Sequence, residues 1–359
     1  MLLKGLRVLD MSALLPGPMC SLFLADLGAE VIKIESPKGD MMRRFEICGE
    51  KSPYFEALNR NKKSVVIDLK TKEGKSSFLK LAKNADVIIE GFRPGKLNDL
   101  GVGYSAIKKL NPKIVYCSIS GYGQKGHLKN KAGHDLNYAS LSGILDVMSF
   151  FPFVPGVQVA DVGCALIVAV SILAALIHRG RTGKGNNIDV SVFNSALSLI
   201  NIHIAQRSVS KKSRTVLSGT KPCYNIYKTK DNKYVSLGAI ETKFWESFCN
   251  SVSNRNLIKR QFDESAVQEL RNLFTQKTQD EWLILNEKYD FCCEPVKQLN
   301  EVINDIHLNK SSAIISLNGV KQAGYPAIFS SFAAFKYQNA PKLGEHTKEV
   351  LSKLKSRKK

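Results

Sequence analysis

The chain has 359 residues, which is enough for one large core or for two domains, and its 44% hydrophobic and 23% charged residues are ordinary for a soluble globular protein. Lysine and arginine number 52 against 32 acidic residues, a net charge of +20. The lysines are scattered apart from a C-terminal cluster at 353–359, which is predicted to be a solvated helix end. Without an aromatic-basic reader motif, a nucleic-acid-binding protein is disfavoured, and the basic surface suits a small polyanion.

Cysteine spacing and the N-terminus indicate the compartment. The eight cysteines include no Cys-x-x-Cys pair, so we expect neither a metal site nor a disulfide framework, but reduced thiols. The N-terminus leads directly into a strand pattern, without a leader-like segment. The longest apolar run, at 164–177, is too short to span a bilayer and predicts a buried helix. We therefore expect a cytoplasmic protein without a membrane partner.

Strand and helix patterns alternate over residues 1–205. Residues 6–11 predict a buried strand, and Pro-Gly-Pro at 16–18 opens a helix at 19–27 that Gly28 ends. The β–α–β succession predicts a parallel sheet with right-handed crossovers, although the first loop lacks the glycine fingerprint of dinucleotide sites. The other strands are predicted at Glu30–Glu35, 64–69, 86–90, 114–118 and 187–192, and the other helices at 73–84, Tyr104–Leu110, about 161–179 and 194–206.

A polar, lysine-rich stretch separates this first, α/β domain from a second one. Residues 206–225 are predicted to be a linker, and 226–324 a smaller α+β domain with its return linker. Residues 325–359 are expected to complete the first domain, because a helix so near the chain end needs a surface to dock on. The elements predicted in this part are a hairpin turn at 227–233, a strand at 234–239, and helices at 243–249, 266–275, 279–287, 298–305 and 348–354.

The stretch from residue 132 to 161 carries the candidate chemistry. It begins with Ala-Gly-His-Asp-Leu-Asn-Tyr at 132–138 and ends at Asp161, just before the apolar run. A helix start offers free N–H groups and a partial positive charge, which hold a carboxylate ionised or bind an oxyanion. We predict that His134 and Asp161 are two acid/base groups that face each other across one carbon atom. The alternative is an N-cap aspartate and a hydrogen-bonded core histidine.

An arginine follows the strand at 86–90, within Gly-Phe-Arg-Pro-Gly at 91–95. Ligands of open α/β sheets bind at the carboxyl ends of the strands. Arg93 is therefore placed to meet a phosphate through two parallel hydrogen bonds. The alternative is a surface arginine in a turn.

Several motifs, taken together, resemble one enzyme superfamily from end to end. They are Leu-Leu-Pro-Gly-Pro at 14–18, Ala-Asp-Leu-Gly-Ala-Glu-Val-Ile-Lys-Ile-Glu at 25–35, Ala-Asp-Val-Ile-Ile-Glu-Gly-Phe-Arg-Pro-Gly at 85–95, Ser-Gly-Tyr-Gly-Gln at 120–124, Gly-His-Asp-Leu-Asn-Tyr at 133–138, Ala-Asp at 160–161, Arg-Thr-Gly-Lys-Gly at 181–185, Gly-Ala-Ile-Glu at 238–241 and Leu-Gly-Glu-His-Thr at 343–347. The chain is similar to the family III CoA-transferase superfamily of the CaiB/BaiF type, and most closely to its α-methylacyl-CoA racemase branch.

The resemblance implies roles for three residues. Asp161 matches the shared aspartate, which transferases use as a nucleophile and racemases as a base, and the Gly-His-Asp-x-Asn-Tyr pattern of racemases makes His134 the second acid/base group. Glu241 would pair with this imidazole and fix its tautomer. On the sequence alone, an exposed glutamate at a helix start is the simpler interpretation of Glu241. Backbone N–H groups of the helix that begins near Asp161 would stabilise an enolate oxygen.

The resemblance also implies a coenzyme A site and no metal or redox cofactor, since coenzyme A is part of the substrate. Some relatives carry an arginine where Ser36 stands, so Lys38 would take over that phosphate contact. Val-Gly-Cys-Ala at 162–165 replaces the Phe and glycines of related racemases, and its bulk would narrow the acyl pocket or alter the oxyanion-binding turn. The implied coenzyme A and substrate contacts are Ser36, Lys38, Ile67, Asp68, Leu69, Lys70, Ala85, Asp86, Val87, Arg93, Gly133, Asp135, Leu136, Asn137 and Tyr138.

The implied reaction is racemisation or epimerisation of 2-methyl-branched acyl-CoA thioesters through an enolate. The alternative is transfer of coenzyme A between carboxylic acids through a thioester on Asp161, and an inactive coenzyme-A-binding relative also fits the residues. The implied architecture is a Rossmann-like large domain and a smaller α+β domain in an interlocked homodimer. Glu241 would then reach the His134 of the other subunit.

Overall fold

The computed structural model describes residues 1–148, 151–210, 215–331 and 335–356. Residues 211–214 of the predicted linker and 357–359 of the basic tail lie outside the described residues. The chain forms two compact units. Unit 1 comprises Met1–Ile144, Val154–Leu199 and Ile306–Lys359, and unit 2 comprises Leu145–Phe153 and Ile200–Asp305.

A six-stranded sheet organises unit 1. Its strands are β1 (Arg7–Met11), β2 (Glu30–Glu35), β3 (Lys62–Val66), β4 (Val87–Glu90), β5 (Val115–Ser120) and β6 (Asn186–Ser191). Their order is β3-β2-β1-β4-β5-β6 and all neighbours run parallel, which confirms the predicted parallel sheet. The strand order reverses between β1 and β4. At such a point the loops after the strands diverge and leave a crevice at the carboxyl edge.

Helices connect these strands, and shorter strands form two small antiparallel sheets. The helices are α1 (Pro16–Asp26), α2 (Pro53–Asn59), α3 (Lys72–Ala82), α4 (Lys96–Asp99), α5 (Tyr104–Leu110), α6 (Asp135–Ser142), α7 (Ile144–Met148), α8 (Val159–Thr182), α9 (Val192–Leu199), α10 (Asn201–Val209), α11 (Thr242–Ser251), α12 (Val267–Phe274), α13 (Gln279–Tyr289), α14 (Leu299–Asn304), α15 (Ile306–Lys310) and α16 (Thr347–Ser356). The remaining strands are β7 (Tyr224–Lys228), β8 (Tyr234–Gly238), β9 (Cys293–Pro295), β10 (Ile314–Leu317) and β11 (Val320–Ala323).

One face of the large sheet is covered by α3, α5 and the C-terminal helix α16. Leu9 and Ile88 of the sheet share a buried cluster with Phe78 of α3, Ile107 of α5 and Val350 of α16. The expectation that the last helix docks on the first domain is therefore confirmed. Because side chains alternate along a strand, the neighbours of these residues point to the opposite face.

Helices α1 and α8 pack against each other on that opposite side of unit 1, and α8 also contacts β5 and β6. Ala160, Cys164, Val168 and Ile172 are buried and recur every four residues, so they form the inward stripe of α8. The helix extends over 24 residues, so it begins two residues before and ends three residues after the predicted range of about 161–179. Among the described residues, α8 is the one helix whose length and apolar composition would allow a membrane span.

Several predicted boundaries differ from the structure. The helix expected at 194–206 is two helices, α9 and α10, separated at Ile200. The short helices α2, α6 and α7 were missed, because seven, eight and five residues are too few to show a helical period. Strand β3 begins two residues earlier than predicted.

Unit 2 has its own aromatic core. The predicted hairpin is confirmed, since β7 and β8 pair antiparallel, and β9 adds a third strand. Trp245, Phe248, Phe274 and Trp282 are fully buried, and the indole N–H groups donate to backbone carbonyls, as buried tryptophans require. Among the described residues all eight cysteines are free thiols, and no group of three or more His, Cys, Asp or Glu could hold a metal ion.

The hairpin of β10 and β11 belongs to unit 1, whereas the sequence analysis placed it in the small domain. Strand β11 packs against α2. Arg60, at the end of α2, donates 2.8 Å hydrogen bonds to Gln322 Oε1 and to the carbonyl of Ala323. This buried guanidinium also pairs with Asp26 of α1 at 2.7 Å, which ties the hairpin to the large sheet's helical layer.

Candidate active site

A cavity of about 500 Å³ opens in unit 1 at the carboxyl edge of the sheet, where the strand order reverses. The loop after β1 contributes Leu14, the loop after β4 contributes Arg93, and the end of β5 contributes Ser120. The segment before α6 contributes His134, and the first turn of α8 contributes Asp161. The two residues predicted as an acid/base pair therefore line the same cavity.

A larger cleft of about 790 Å³ also lies in unit 1, lined by α2 and residues 338–346. It contains none of the predicted catalytic residues. The smaller cavity is the better candidate, because it combines a histidine and a carboxyl group with a topological switch point.

Asp161 has an environment that suits proton transfer. It is the third residue of α8, while Gln158 is the N-cap, so the alternative of an N-cap aspartate is wrong. Burial, and after it the negative charge of Asp135, raises the pKa of Asp161 to about 7. A carboxyl group with a pKa near neutrality can both accept and give a proton at physiological pH.

Asp135 caps the N-terminus of α8. Its Oδ1 accepts a 3.0 Å hydrogen bond from the backbone N–H of Asp161, and the N–H of Ala160 also donates to its carboxylate. Burial raises the pKa of Asp135, and these two hydrogen bonds oppose that shift. Two of the N–H groups at the start of α8 are therefore occupied by a carboxylate from α6. Stabilisation of an enolate oxygen by this helix start stays a prediction.

His134 immediately precedes α6 and is exposed, so the alternative of a core histidine is wrong. Its backbone N–H donates a 3.0 Å hydrogen bond to Oδ1 of Asn137, which also lines the cavity. The amide side chain thereby fixes the backbone at the start of α6, as a reciprocal cap does. The imidazole projects from this anchored position.

Tyr138 holds the loop that carries His134. Its hydroxyl donates a 2.7 Å hydrogen bond to the carbonyl of Gly133, and its ring meets Tyr122 edge to face at 5.2 Å. A Cβ at Gly133 would lie 2.9 Å from the tyrosine ring, and one at Gly121 would lie 2.4 Å from its hydroxyl. The two glycines of the Ser-Gly-Tyr and Gly-His motifs therefore make room for this one side chain.

The cavity is strongly cationic. Arg93, Lys129 and Lys131 line it, and none of the three pairs with a carboxylate among the described residues. Lys131 also lies 5.9 Å from the ring centre of Tyr122. Neither lysine was predicted as a site residue, although both stand just before the Gly-His-Asp motif. Three unneutralised cations would attract a polyanionic ligand.

Ser120 is a second missed residue. Its Oγ is buried and has no hydrogen-bond partner in the described part of the chain. Buried hydroxyl groups in proteins are normally paired, and an orphaned one at a cavity points to a group that a ligand supplies. The sequence places Ser120 in the Ser-Gly-Tyr-Gly-Gln motif at 120–124, but it does not show that the hydroxyl lies at the cavity.

Residues 162–165 lie away from the cavity. Cys164 is fully buried, and a Cβ on Gly163 would lie 2.7 Å from Leu199 of α9. Burial raises the pKa of the Cys164 thiol to about 12, so the thiol stays protonated. None of these residues lines the cavity, so the prediction that their bulk narrows it was wrong, whereas an effect on the oxyanion-binding turn stays a prediction. Gly163 and Cys164 contact α9 instead.

The sequence profile of CoA-transferase family III matches residues 3–347. The chain belongs to this family. Human alpha-methylacyl-CoA racemase is 31% identical over 366 residues, which cover 98% of this chain and 93% of that protein. Mouse succinyl-CoA:glutarate CoA-transferase is 32% identical over 376 residues, which cover 98% of this chain and 86% of that protein. Family III relatives with two different reactions are thus equally similar to this chain.

Solved structures agree with the family assignment. A CAIB/BAIF family protein from Brucella suis superimposes with a TM-score of 0.86 and 29% sequence identity, over 98% of this chain and 99% of that one. The likeness covers both units, so the predicted α/β architecture with a second α+β unit is confirmed.

The predicted coenzyme A contacts fall into three groups. Arg93, Gly133, Asn137 and Tyr138 line the cavity, whereas Asp135 and Leu136 do not. A second group follows the carboxyl ends of β2 and β3, at the same edge of the sheet, and consists of Ser36, Lys38, Ile67, Asp68, Leu69 and Lys70. Their roles stay predictions.

The third group lies at the other edge of the sheet. Ala85, Asp86 and Val87 precede or begin β4, at its amino end. The carboxylate of Asp86 accepts a 2.8 Å hydrogen bond from the backbone N–H of Arg7 and pairs with Arg179 at 3.0 Å. The structure does not bring this group together with the cavity, because the length of β4 separates them.

Glu241 lies in unit 2, directly before α11, and is exposed. Its carboxylate does not cap that helix. The pairing of Glu241 with the His134 of a second subunit stays a prediction.

Proposed function

We propose that this family III protein is an isomerase that racemises or epimerises acyl-CoA thioesters with a methyl branch at carbon 2. The observation that carries the proposal is that His134 and Asp161 line one cavity, with the pKa of Asp161 raised to about 7. Imidazole is the other side chain that commonly exchanges protons near neutrality. Two such groups in one cavity suit a reaction that removes and returns a proton.

The thioester carbonyl acidifies the hydrogen on carbon 2, because the enolate that forms carries its negative charge on oxygen. One of the two groups takes this proton, and the electron pair of the C–H bond moves into the enolate. The other group gives a proton to the opposite face of the same carbon, which restores the thioester with inverted configuration. His134 and Asp161 exchange these roles with the configuration of the substrate. Each positioned acid or base contributes roughly 10²–10⁴ in rate.

The enolate oxygen needs a hydrogen-bond donor, since this is where the charge develops. The N–H groups of Ala160 and Asp161 are taken by Asp135. The hydroxyl of Ser120 is a candidate, because it lies at the cavity and has no partner within the described residues. We assign it this role as part of the proposal.

Hydrogen exchange in D₂O tests the reaction directly. We expect the wild-type protein to replace the hydrogen on carbon 2 of a 2-methylacyl-CoA by deuterium without any acceptor acid. His134→Ala and Asp161→Ala should each lower this exchange by at least roughly 100-fold, as expected when one of two general acid/base groups is removed. Asp189→Asn, a carboxylate on β6 that does not line the cavity, serves as the control. Wild-type rates of exchange in both the His134→Ala and the Asp161→Ala variant would show that the proposal is wrong.

Transfer of coenzyme A between carboxylic acids is the second candidate. It is favoured by the similarity to mouse succinyl-CoA:glutarate CoA-transferase, at 32% identity. In that reaction the Asp161 carboxylate attacks the thioester carbonyl, and the coenzyme A thiolate leaves. Hydroxylamine would then trap an adduct on Asp161, and turnover would require an acceptor acid. Exchange of the hydrogen on carbon 2 without acceptor would instead support the isomerase.

We also propose that the active form is a homodimer in the cytoplasm, in which Glu241 of one subunit orients the imidazole of the other. A carboxylate on the second imidazole nitrogen fixes the tautomer and stabilises the imidazolium that forms when His134 accepts a proton. Mixing Glu241→Ala with His134→Ala protein tests the pairing across subunits. Hybrid dimers would then contain one intact site, and activity should partly return.

A further inference from the structure

A group of charged side chains lies buried on the face of the large sheet that α1 covers. Asp10, Lys33 and Lys62 are at most 4% exposed. Asp10 of β1 and Lys33 of β2 are direct neighbours in the strand register, and Lys62 begins β3. The mechanism proposed above uses none of them, and charges are rarely buried without a specific task.

The two lysines hold the backbone of the loop that follows β1. We call residues 12–18, which include the first turn of α1, the β1–α1 loop. Lys33 Nζ donates a 3.0 Å hydrogen bond to the carbonyl of Ser12, at its beginning. Lys62 Nζ donates a 2.8 Å hydrogen bond to the carbonyl of Pro18, at its end. One ammonium group thus clamps each end of the β1–α1 loop.

Asp10 holds the same loop from below and balances the charge. Its carboxylate accepts hydrogen bonds from the backbone N–H and the hydroxyl of Ser12, from the Ser21 hydroxyl at 2.5 Å and from Lys62 at 3.3 Å. Lys33 also pairs with the carboxylate of Asp40 at 2.8 Å. Two ammonium groups and two carboxylates therefore form a neutral buried network, which is the arrangement that makes buried charge tolerable.

The β1–α1 loop needs such support because of its backbone. Leu14 has φ +66°, in the left-handed region that a leucine rarely adopts. A Cβ at Gly17 would lie 2.0 Å from the Ser12 hydroxyl, so the loop folds tightly onto itself. Strained conformations persist only where the surroundings determine them, and they cluster at functional sites.

The same loop forms part of the candidate active site. Ser12, Leu14 and Gly17 line the cavity together with His134 and Asp161. The network lies beneath the loop and the reacting groups lie in the cavity above it. A shift of this wall would displace a bound thioester relative to both acid/base groups.

The charges of the network have opposing effects on stability. Burial lowers the pKa of Lys62 to about 8, with Lys33 adding to the shift and Asp10 and Asp40 opposing it, so the charge of Lys62 opposes folding at neutral pH. Burial acts to raise the pKa of Asp10, but the charges of Lys33 and Lys62 and the hydrogen bonds from two serines lower it to about 2, and the charges of Asp10 and Asp40 raise the pKa of Lys33, so these two shifts favour folding. Replacing a whole buried ion pair by apolar side chains of similar size is often neutral or stabilising, so stability alone does not require these charges.

We propose that Lys33 and Lys62 are positioning residues, which fix the β1–α1 loop as a rigid wall of the substrate cavity by clamping its first and last carbonyl groups. The inference rests on the proposed function for what the wall positions, an acyl-CoA thioester. It is independent of whether Asp161 acts as a base or as a nucleophile, because both reactions require the thioester at a fixed place.

Lys62→Met and Lys33→Met test the proposal. We expect each to lower kcat/KM about 100-fold, as displacements near 1 Å do. Each single variant should also lower the thermal midpoint, because a buried carboxylate loses its partner. Hydrogen exchange followed by mass spectrometry should be faster in residues 12–19 and unchanged in β4 and β5. The matched control is Lys63→Met, since the adjacent Lys63 pairs at the surface with Glu30 and Glu349. It should behave as wild type in both measurements.

Asp10→Asn combined with Lys62→Met covers the case in which a single variant fails to fold, because it keeps the buried charge balanced. Wild-type kcat/KM in the lysine variants would overturn the inference, whether or not the loop exchanges faster. A parallel loss of activity and thermal midpoint, with no local change in exchange, would also overturn it. If the wild type neither exchanges the hydrogen on carbon 2 nor transfers coenzyme A, the proposed function fails. In that case the affinity for an acyl-CoA is measured instead of kcat/KM, and the lysine variants must bind the acyl-CoA more weakly than the wild type does.

Discussion

Asp161 shows how a single residue can favour reactivity over stability. Its pKa is about 7 in the folded protein, against an ordinary value of 3.8, because burial and Asp135 disfavour the charge. The folded state therefore binds the proton more tightly than the unfolded state. The resulting stability is fully present below pH 3.8 and is lost as the pH rises through about 7.

Asp161→Asn should accordingly stabilise the protein at alkaline pH while abolishing its activity. We expect the free energy of unfolding at pH 8 to exceed that of wild type by up to about 4 kcal/mol, with the difference shrinking as the pH falls from 7 towards 4. Urea unfolding at several pH values measures this, with Asp189→Asn as the control. An Asp161→Asn variant that is less stable than wild type at pH 8 would contradict the assignment.

Residues within contiguous motifs could be predicted from the sequence, whereas residues whose role depends on folding could not. His134 and Asp161 are recognisable because each belongs to a short motif at the start of a helix, His134 immediately before α6 and Asp161 in the first turn of α8. The sequence does not reveal that Asp135 caps a helix that begins 24 residues later. Nor does the motif at 120–124 reveal that the hydroxyl of Ser120 lacks a partner at the cavity.

At the scale of elements, Asp135 joins α6 to α8 and so fixes His134 relative to Asp161. Asp135→Ala removes the acceptor of two buried N–H groups and should cost about 1–2 kcal/mol of stability. Asp135→Asn keeps an acceptor oxygen and should cost less, but it removes a negative charge beside Asp161. The pKa of Asp161 should therefore fall in this variant, and the rising limb of the pH–rate profile should move to lower pH. Equal losses of stability in both variants would show that the cap is not the cause.

The boundaries of strands and helices were predictable where a regular spacing of apolar residues continues through the whole element. Strand β2 and helix α5 match the sequence prediction residue for residue. Helix α8 is longer than its apolar run, because its last turn continues through His178 and Arg179, whose polar side chains do not interrupt the backbone hydrogen bonds. The break between α9 and α10 carries no glycine or proline, so local sequence gave no signal for it.

At the scale of the whole molecule, the parallel sheet was predictable but its strand order was not. Alternation of strands and helices predicts parallel pairing, whereas the reversal between β1 and β4 follows from which face each crossover takes. This reversal creates the cavity. The position of the hairpin β10–β11 depends on the buried contacts of Arg60 to Gln322 and Ala323. These residues are 262 and 263 positions from Arg60 along the chain, so no local pattern predicts the contacts.

An apolar stripe on α8 supports the proposed homodimer. Leu166, Val170 and Ile177 are 49%, 64% and 59% exposed, and their spacing of four and seven places them on one side of the helix. The opposite side of α8 is buried against α1 and the sheet. Such a stripe, on a helix already fixed along its length, can pair with its own copy about a two-fold axis.

Leu166→Lys combined with Val170→Lys should therefore convert the dimer to a monomer, because four lysines would meet at a two-fold contact. Size-exclusion chromatography with light scattering measures the mass, and the D₂O assay should show lost exchange if Glu241 acts across subunits. Ile284→Lys, equally exposed but on α13 of unit 2, is the matched control and should leave mass and activity unchanged. A wild-type monomer with full activity would refute both the interface and the shared site. A double variant that stays dimeric would refute the α8 interface alone, and association must then occur through another surface.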